Sequence, residues 1–169
     1  TAMAVQALAP YYTGRRTLPA GVNSAIVRQV VDRALAFLSG QQTASGGFGS
    51  SETDAQIVVM LSALGRDADS SFTKGGRSVL EDLLGYRDTA TGGFSHRQDS
   101  GVDQMATEQA AYALVAYARY KHSRNTLYDM TDVFTAEAAS PVIPIQAVVT
   151  GGVPTAAVPA QKVAEAISE

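Results

Sequence analysis

The sequence predicts an all-α protein of stacked helical hairpins, and three observations support this fold class. First, an apolar helical stretch, a Gly-Gly-Phe triplet and a second helical stretch opening on Thr and an acidic residue occur twice in this order. Second, residues 1 to 8 are similar to the second helical stretch of such a unit. Third, Thr1, Thr53 and Thr107 are 52 and 54 residues apart, a period typical of such hairpins. We therefore expect a piece of a longer array.

Composition narrows the function classes. The 169 residues are 46% hydrophobic and 17% charged, as in ordinary globular proteins. A net charge of −3 supplies no broad basic field, so we expect no nucleic-acid partner. The absence of cysteine excludes disulfides and thiolate metal sites within this chain. No apolar run approaches the length of a membrane span, so none is expected.

The first complete unit is predicted to begin with an outer helix over residues 25 to 38. Asn23 or Ser24 can cap its start, and Gly40 can end it in the left-handed conformation. Apolar residues recur along it with the i, i+3, i+4 spacing of a helix that buries one face. They are Ile26, Val27, Val30, Val31, Ala34, Leu35 and Leu38.

The Gly-Gly-Phe triplets lie where each outer helix leads into an inner one. Paired glycines permit positive φ angles and a close approach of two chain segments. The phenylalanine that follows can fill the seam between neighbouring units. We predict a structural role for all six residues, which are Gly46, Gly47 and Phe48 in one unit and Gly92, Gly93 and Phe94 in the other.

The second helix of each unit is predicted to be buried as part of an inner layer, because residues 106 to 120 are apolar on most sides. Two interpretations stay open for the polar residues at the inner-helix starts: capping of the helix and contact with a ligand. These residues are Thr53, Asp54, Gln56, Thr107, Glu108 and Gln109.

The loop between Phe94 and Thr107 is the longer of the two loops that follow a triplet, and we expect it to form a rim near any central cavity. It carries His96 and Asp103. Its carboxylates have no second histidine beside them, so His96 is interpreted as a solvated loop residue rather than a metal ligand.

Two further sets of residues complete the helical region. Tyr112, which is followed by Tyr117 and Tyr120, is interpreted either as core or as the lining of a ligand site. Asp82 and Asp88 are expected to be solvated.

The chain changes character after Asp132, where Ala, Val and Pro dominate and four prolines exclude a long helix. The predicted organisation is a repeat domain over residues 1–130. Residues 131–169 are predicted to be a linker or the start of a following module.

The repeats, with Gln41-Gln42 before Gly46-Gly47-Phe48, resemble the α/α-toroid superfamily. This superfamily comprises prenyltransferase β subunits, squalene and terpene cyclases and cobalamin carriers. Thr1 to Tyr12, Met105 to Tyr120 and Leu127-Tyr128-Asp129-Met130 are similar to prenyltransferase/squalene-oxidase-repeat regions of secreted or surface proteins of Gram-positive bacteria. The resemblance implies a partial toroid of outer and inner hairpins and an extracellular location.

The resemblance also allows the relatives' chemistry to be tested by residue. Prenyltransferases hold zinc with Asp-x-Cys and a later His, whereas this chain has Asp54-Ala55-Gln56 and Ala106 at those positions. A single carboxylate does not hold zinc, so we expect no metal and no cofactor. The Asp-x-Asp-Asp acid of the cyclases is absent from this sequence.

The function expected from the resemblance is a non-catalytic binding or structural module, with an apolar or corrinoid ligand. The alternative is a prenyltransferase-like or cyclase-like enzyme whose catalytic residues lie mostly outside this chain. A third class is a spacer that displays other domains, which would have no pocket in the full ring. We also expect the edge Thr1 to Tyr12, where missing N-terminal repeats would otherwise pack, to leave Met3, Val5, Ala7 and Leu8 uncovered. The chain should then self-associate through this edge or fold its Pro-rich tail back over it. Candidate ligand-binding residues are Asp54, Gln56, His96, Asp103, Thr107, Glu108 and Tyr112.

Overall fold

The computed structural model describes residues 1–133, and within them the fold is mostly helical, as predicted. The later part of the predicted linker or module lies outside the described residues. Every helix within residues 1–133 falls short of the length or the apolar character that a membrane span requires. The elements are α1 (Ala2–Tyr12), α2 (Ser24–Gln41), α3 (Ser51–Ala63), β1 (Thr73–Lys74), β2 (Arg77–Ser78), α4 (Val79–Leu84) and α5 (Gln104–Lys121).

Helices α1, α3 and α5 form a row, which we call the inner row, and α2 and α4 pack against it. Helix α3 packs between α1 and α5, while α2 packs on α1 and α4 packs on α3. The inner helices run parallel, because residues near their C-terminal ends meet: Tyr117 donates a 2.8 Å hydrogen bond to Asp67, just beyond α3. Helix α2 runs back along α1, since Tyr12 at the end of α1 donates to Asp32 in the first half of α2.

Helix α3 is the core of the described region. Its residues from Ile57 to Leu61 are each at most 1% exposed, so this helix is buried on every side. Helix α5 buries only one stripe, Ala106, Ala110, Ala113 and Ala116. Met105 and Val115 on α5 are 62% and 48% exposed, because no element of residues 1–133 covers that flank. The prediction of a fully buried inner helix therefore holds for α3 and not for α5.

Helix α2 differs from its prediction at both the buried stripe and the C-terminal end. Ile26 is 58% exposed, so the stripe is narrower than its apolar pattern suggests. Asn23 caps the start by accepting a 2.8 Å hydrogen bond from the Ala25 amide. Gly40 does not end the helix, which continues to Gln41. The chain turns at Gln42 instead, because its buried side-chain amide donates to the Phe72 carbonyl at 2.8 Å.

The two glycines of each triplet serve different purposes. Gly46 and Gly92 have φ angles of 95° and 78°, a region that favours glycine. Gly47 and Gly93 leave room for close neighbours: a Cβ on Gly93 would lie 2.5 Å from a methyl carbon of Val102. The two triplets therefore form similar turns.

The phenylalanines of the triplets are not buried to the same degree. Phe94 is 4% exposed and belongs to the core. Phe48 is half-buried, and its ring packs against Phe72 with the centroids 6.4 Å apart. The expectation that both rings fill equivalent seams is therefore met only in part.

The edge formed by α1 is less open than the sequence suggests. Met3 is 68% exposed and Ala7 is exposed as well. Val5, in contrast, is 2% exposed, and Leu8 packs against the core, so the prediction that these two residues are uncovered is wrong.

Phe94→Ala is expected to lower the free energy of unfolding by about 3–5 kcal/mol, the usual cost of emptying a buried aromatic site. Phe48→Ala should cost clearly less, because that ring is only half-buried. Glu108→Gln, an exposed control on α5, should cost about 1 kcal/mol or less. Denaturant titration measures all three, and equal small losses would contradict the assignment of Phe94 to the core.

The exposed α1 edge predicts self-association of the chain, which light scattering over a concentration series can measure. Specific interfaces need about 800 Å² of matched surface per partner, and charged side chains within an apolar surface disrupt that match. Introducing charge with Met3→Glu/Ala7→Glu should therefore shift the chain toward monomer. Ile26→Glu, at an exposed apolar residue of α2, is the control. A chain that is monomeric at every concentration would refute the prediction.

Candidate functional site

The caps of α3 and α5 lie three and four residues before Thr53 and Thr107, where the sequence suggests them. Ser50 caps α3 by accepting from the Thr53 amide at 3.3 Å. Asp103 caps α5 by accepting from the Ala106 amide at 2.9 Å. Asp103, a candidate for ligand contact, is therefore a helix cap, and Thr53 is a donor to a cap rather than the cap itself.

In α3 and in α5, the residue three positions after the first helical residue accepts a hydrogen bond from the phenylalanine amide of the Gly-Gly-Phe triplet. Asp54 accepts a 2.7 Å hydrogen bond from the Phe48 amide. Thr107 accepts a 2.8 Å hydrogen bond from the Phe94 amide in the same way. Asp54 is thus the counterpart of Thr107, and the predicted repeat register, which matched Thr53 with Thr107, is wrong by one residue.

A pair of aspartates is enclosed where α3 meets α4. Asp54 and Asp82 are 0% and 1% exposed, so the expectation that Asp82 is solvated is wrong. We call these two residues the carboxyl pair. A Cβ on Gly47 would lie 1.8 Å from Asp82 Oδ2 and 2.6 Å from Asp54 Oδ2. Both carboxyl groups therefore occupy the space that any side chain at residue 47 would need.

The carboxyl pair requires a proton. If both groups were ionised, Asp54 Oδ2 and both oxygens of Asp82 would be buried without a hydrogen-bond donor. Two like charges in one dry site disfavour ionisation. Burial, together with the hydrogen bond and the charge of Asp82, raises the pKa of Asp54 to about 8. At neutral pH we infer that Asp54 holds a proton and donates it toward Asp82.

Tyr86 belongs to the same surroundings. Burial raises the pKa of the Tyr86 hydroxyl, and the nearby charge of Asp82 raises it further. The phenol therefore stays neutral. Because the carboxyl pair is closed to solvent, we assign it a role in the stability of the fold and not in ligand binding.

A row of polar side chains crosses the inner helices, and we call it the glutamine ladder. Gln6 of α1 donates to Gln56 Oε1 of α3 at 2.9 Å. Gln56 donates in turn to Gln109 Oε1 of α5 at 3.1 Å and to the Tyr112 hydroxyl. Burial raises the pKa of Tyr112. Of the predicted candidates, the structure brings Gln56 and Tyr112 together here.

Two adjoining cavities open beside the ladder, toward the C-terminal ends of the inner helices. Their volumes are about 310 and 430 Å³. The larger cavity includes Gln6 in its lining, so it is continuous with the ladder. Volumes of this size are at the lower end of those found for small-molecule sites. The residues that line both cavities are Arg15, Ala63, Thr126, Tyr128 and Asp129.

The segment after α5 forms a wall of both cavities, although its residues are not among the sites predicted from sequence. The Tyr128 hydroxyl lies 3.5 Å from Gln6 Oε1, which brings this segment against α1. The similarity of Leu127-Tyr128-Asp129-Met130 to the prenyltransferase/squalene-oxidase-repeat regions is the one sequence signal that points to this segment. Only tertiary structure brings residue 128 next to residue 6.

The loop with His96 lies at the other end of the inner row. The Ser51 amide at the start of α3 donates to the His96 carbonyl at 3.3 Å. His96 Nδ1 lies 2.8 Å from Glu52 Oε2. Burial is the largest single influence on Glu52 and opposes its ionisation, but the hydrogen bonds from His96, Ser50 and the Glu52 backbone, with the charge of His96, together lower the Glu52 pKa. This loop therefore does not border the two cavities, and Glu108 is simply exposed on α5.

Neither a metal site in the described residues nor a similar protein indicates the function of this chain. Among residues 1–133, no three His, Asp or Glu side chains are grouped as metal ligands. Comparison with protein-family models, with curated proteins and with solved structures finds no match to this chain. The resemblance to α/α toroids stays a prediction from sequence.

The carboxyl pair predicts a fall in stability with rising pH. An aspartate with a folded-state pKa near 8 and an ordinary value of 3.8 stabilises the fold below about pH 4, and this contribution is lost as the pH rises through 8. The slope should approach about 1.4 kcal/mol per pH unit between these values.

Asp54→Asn should remove most of this slope, because a neutral amide can accept from Phe48 and donate to Asp82 at every pH. Asp99→Asn, in the exposed loop, is the matched control and should leave the slope unchanged. Urea titrations from pH 4 to 9 make the comparison. Identical slopes for Asp54→Asn and the unaltered chain would contradict the shared proton.

Proposed function

We propose that this chain is a non-catalytic module that binds a small molecule on the inner face of a partial α/α toroid. The observation that carries the proposal is the pair of adjoining cavities beside the glutamine ladder. The resemblance to surface and secreted proteins of Gram-positive bacteria supports an extracellular setting for this activity.

The lining of the cavities favours binding over catalysis. It combines small apolar residues such as Ala7 and Ala63 with a few polar side chains, as small-molecule sites do. Across the described lining of both cavities, Asp129 is the one carboxylate and histidine is absent. General acid-base catalysis usually relies on such groups placed within hydrogen-bond reach of the substrate.

Cavity size bears on the identity of the ligand. A corrinoid is much larger than a site of about 310 or 430 Å³, so it would have to lie along the whole inner face. A small ligand with an apolar body fits either cavity without rearrangement. We therefore favour the small apolar ligand among the two classes that the resemblance implies.

The proposal is tested by native mass spectrometry of the full-length protein from its source, followed by titration of the recovered molecule. Cyanocobalamin and an isoprenoid alcohol serve as defined probes. Ala7→Trp, which fills the larger cavity, should abolish binding. Ala118→Trp, at an exposed residue of α5 outside both linings, should retain it.

The ligand should leave the protein chemically unchanged. A bound molecule that is converted to a product would favour the enzyme alternative. The absence of any co-purified molecule, with no binding of either probe, would refute the proposal and favour a role as a spacer.

A further inference from the structure

The inner helices end in the same way, and this shared ending supplies a row of cations. Each helix is followed by a residue with a positive φ, at 75°, 71° and 53° in chain order. An arginine comes next in every case. The pairs are Gly14-Arg15, Gly65-Arg66 and Ser123-Arg124.

The guanidinium groups are not needed to cap these helices. The backbone amide of Arg66 donates to the Leu61 carbonyl at 2.9 Å, and that of Arg124 donates to the Arg119 carbonyl at 2.8 Å. Backbone amides therefore satisfy carbonyl groups at the helix ends. The side chain of Arg66 is directed to the Tyr12 hydroxyl, at 3.5 Å.

The other arginines line the cavities. Arg15 lines both of them, Arg16 lines the larger and Arg124 the smaller. A guanidinium nitrogen of Arg15 lies 3.9 Å from the point where a Cβ on Gly65 would be, at the wall of the smaller cavity. The cavities thus carry positive charge although the chain has a net charge of −3.

Within residues 1–133, no carboxylate forms an ion pair with Arg15, Arg16 or Arg124. The ion pairs among residues 1–133 join His96 to Glu52, Arg119 to Asp132 and Lys121 to Asp67, and so they leave out all three cavity arginines. The one acidic residue of the described lining is Asp129, whose Oδ1 accepts a 2.7 Å hydrogen bond from Thr131.

Apolar surface adjoins the arginines. Met3 and Ala7, on the larger cavity, are exposed, and Met3 is 68% exposed. Ala63 of α3 continues this surface into the smaller cavity. A ligand that covers it would remove apolar area from water while its charged end stays beside the guanidinium groups.

We propose that the two cavities bind an amphiphilic anion, with its carboxylate or phosphate head at Arg15 and its apolar body along Met3, Ala7 and Ala63. This inference rests on the proposed function and names the ligand class. The planar guanidinium of arginine binds either head group through two parallel hydrogen bonds. Arg16 and Arg124 add positive charge on either side.

Isothermal titration calorimetry with four probes tests the inference: decanoate, decyl phosphate, decanol and inorganic phosphate, each below its aggregation threshold. Decanoate and decyl phosphate should bind more tightly than decanol, which lacks charge, and than phosphate, which lacks the apolar body. Arg15→Gln should weaken decanoate binding about tenfold or more, the usual effect of losing a charge-assisted hydrogen bond. Decanol binding should be unchanged.

Arg33→Gln removes the same charge from the exposed face of α2 and should leave every affinity unchanged. Arg15→Lys should weaken decanoate binding less than Arg15→Gln, because lysine keeps the charge and loses the paired hydrogen bonds.

The outcomes separate this inference from the proposed function. Equal binding of decanol and decanoate, blocked by Ala7→Trp, would overturn the anionic ligand and leave a binding module in place. Phosphate binding as tightly as decyl phosphate would overturn the apolar body. An Arg15→Gln chain that loses stability but keeps its affinity for decanoate would assign Arg15 to the helix end alone. No binding of any probe, with no molecule recovered from the source, would overturn both proposals.

Discussion

The protonated carboxyl pair is the contact on which the described region depends, since it joins three elements at one buried point. Asp54 accepts a hydrogen bond from the Phe48 amide, and Asp82 of α4 is buried at the same site. Gly47 makes room for both carboxyl groups. If the proton were absent, two buried charges would oppose each other in a site that has no cation beside it within residues 1–133. The proton therefore allows the turn, α3 and α4 to close together.

The second unit achieves the same turn without buried charge. The Thr107 hydroxyl accepts a hydrogen bond from the Phe94 amide, and it needs no change of protonation to do so. This difference matches the packing of the two helices: α3 is enclosed on every side, whereas α5 buries one stripe of alanines. Equivalent positions in a repeat can thus carry different side chains when their burial differs.

The proposed ligand site depends on the parallel order of α1, α3 and α5. Parallel helices bring their C-terminal ends to one side, where Arg15 and Arg124 come to border the same cavity. The glutamine ladder crosses the row farther along and satisfies amide groups that face the interior. The carboxyl pair lies near the N-terminal ends, so the stabilising contacts and the proposed ligand site occupy opposite ends of the row.

The sequence by itself determined the helical class, the hairpin order and the glycine turns, because apolar periodicity and the steric freedom of glycine act over a few residues. It did not determine the repeat register, since Thr53 and Asp54 are both plausible at a helix start and only the Phe48 amide distinguishes them. It also placed Asp82 in solvent, because a charged residue on a short helix gives no local sign of burial. The cavities, the ladder and the arginine row needed the tertiary structure, because each joins residues 50 or more positions apart through packing that no local pattern encodes.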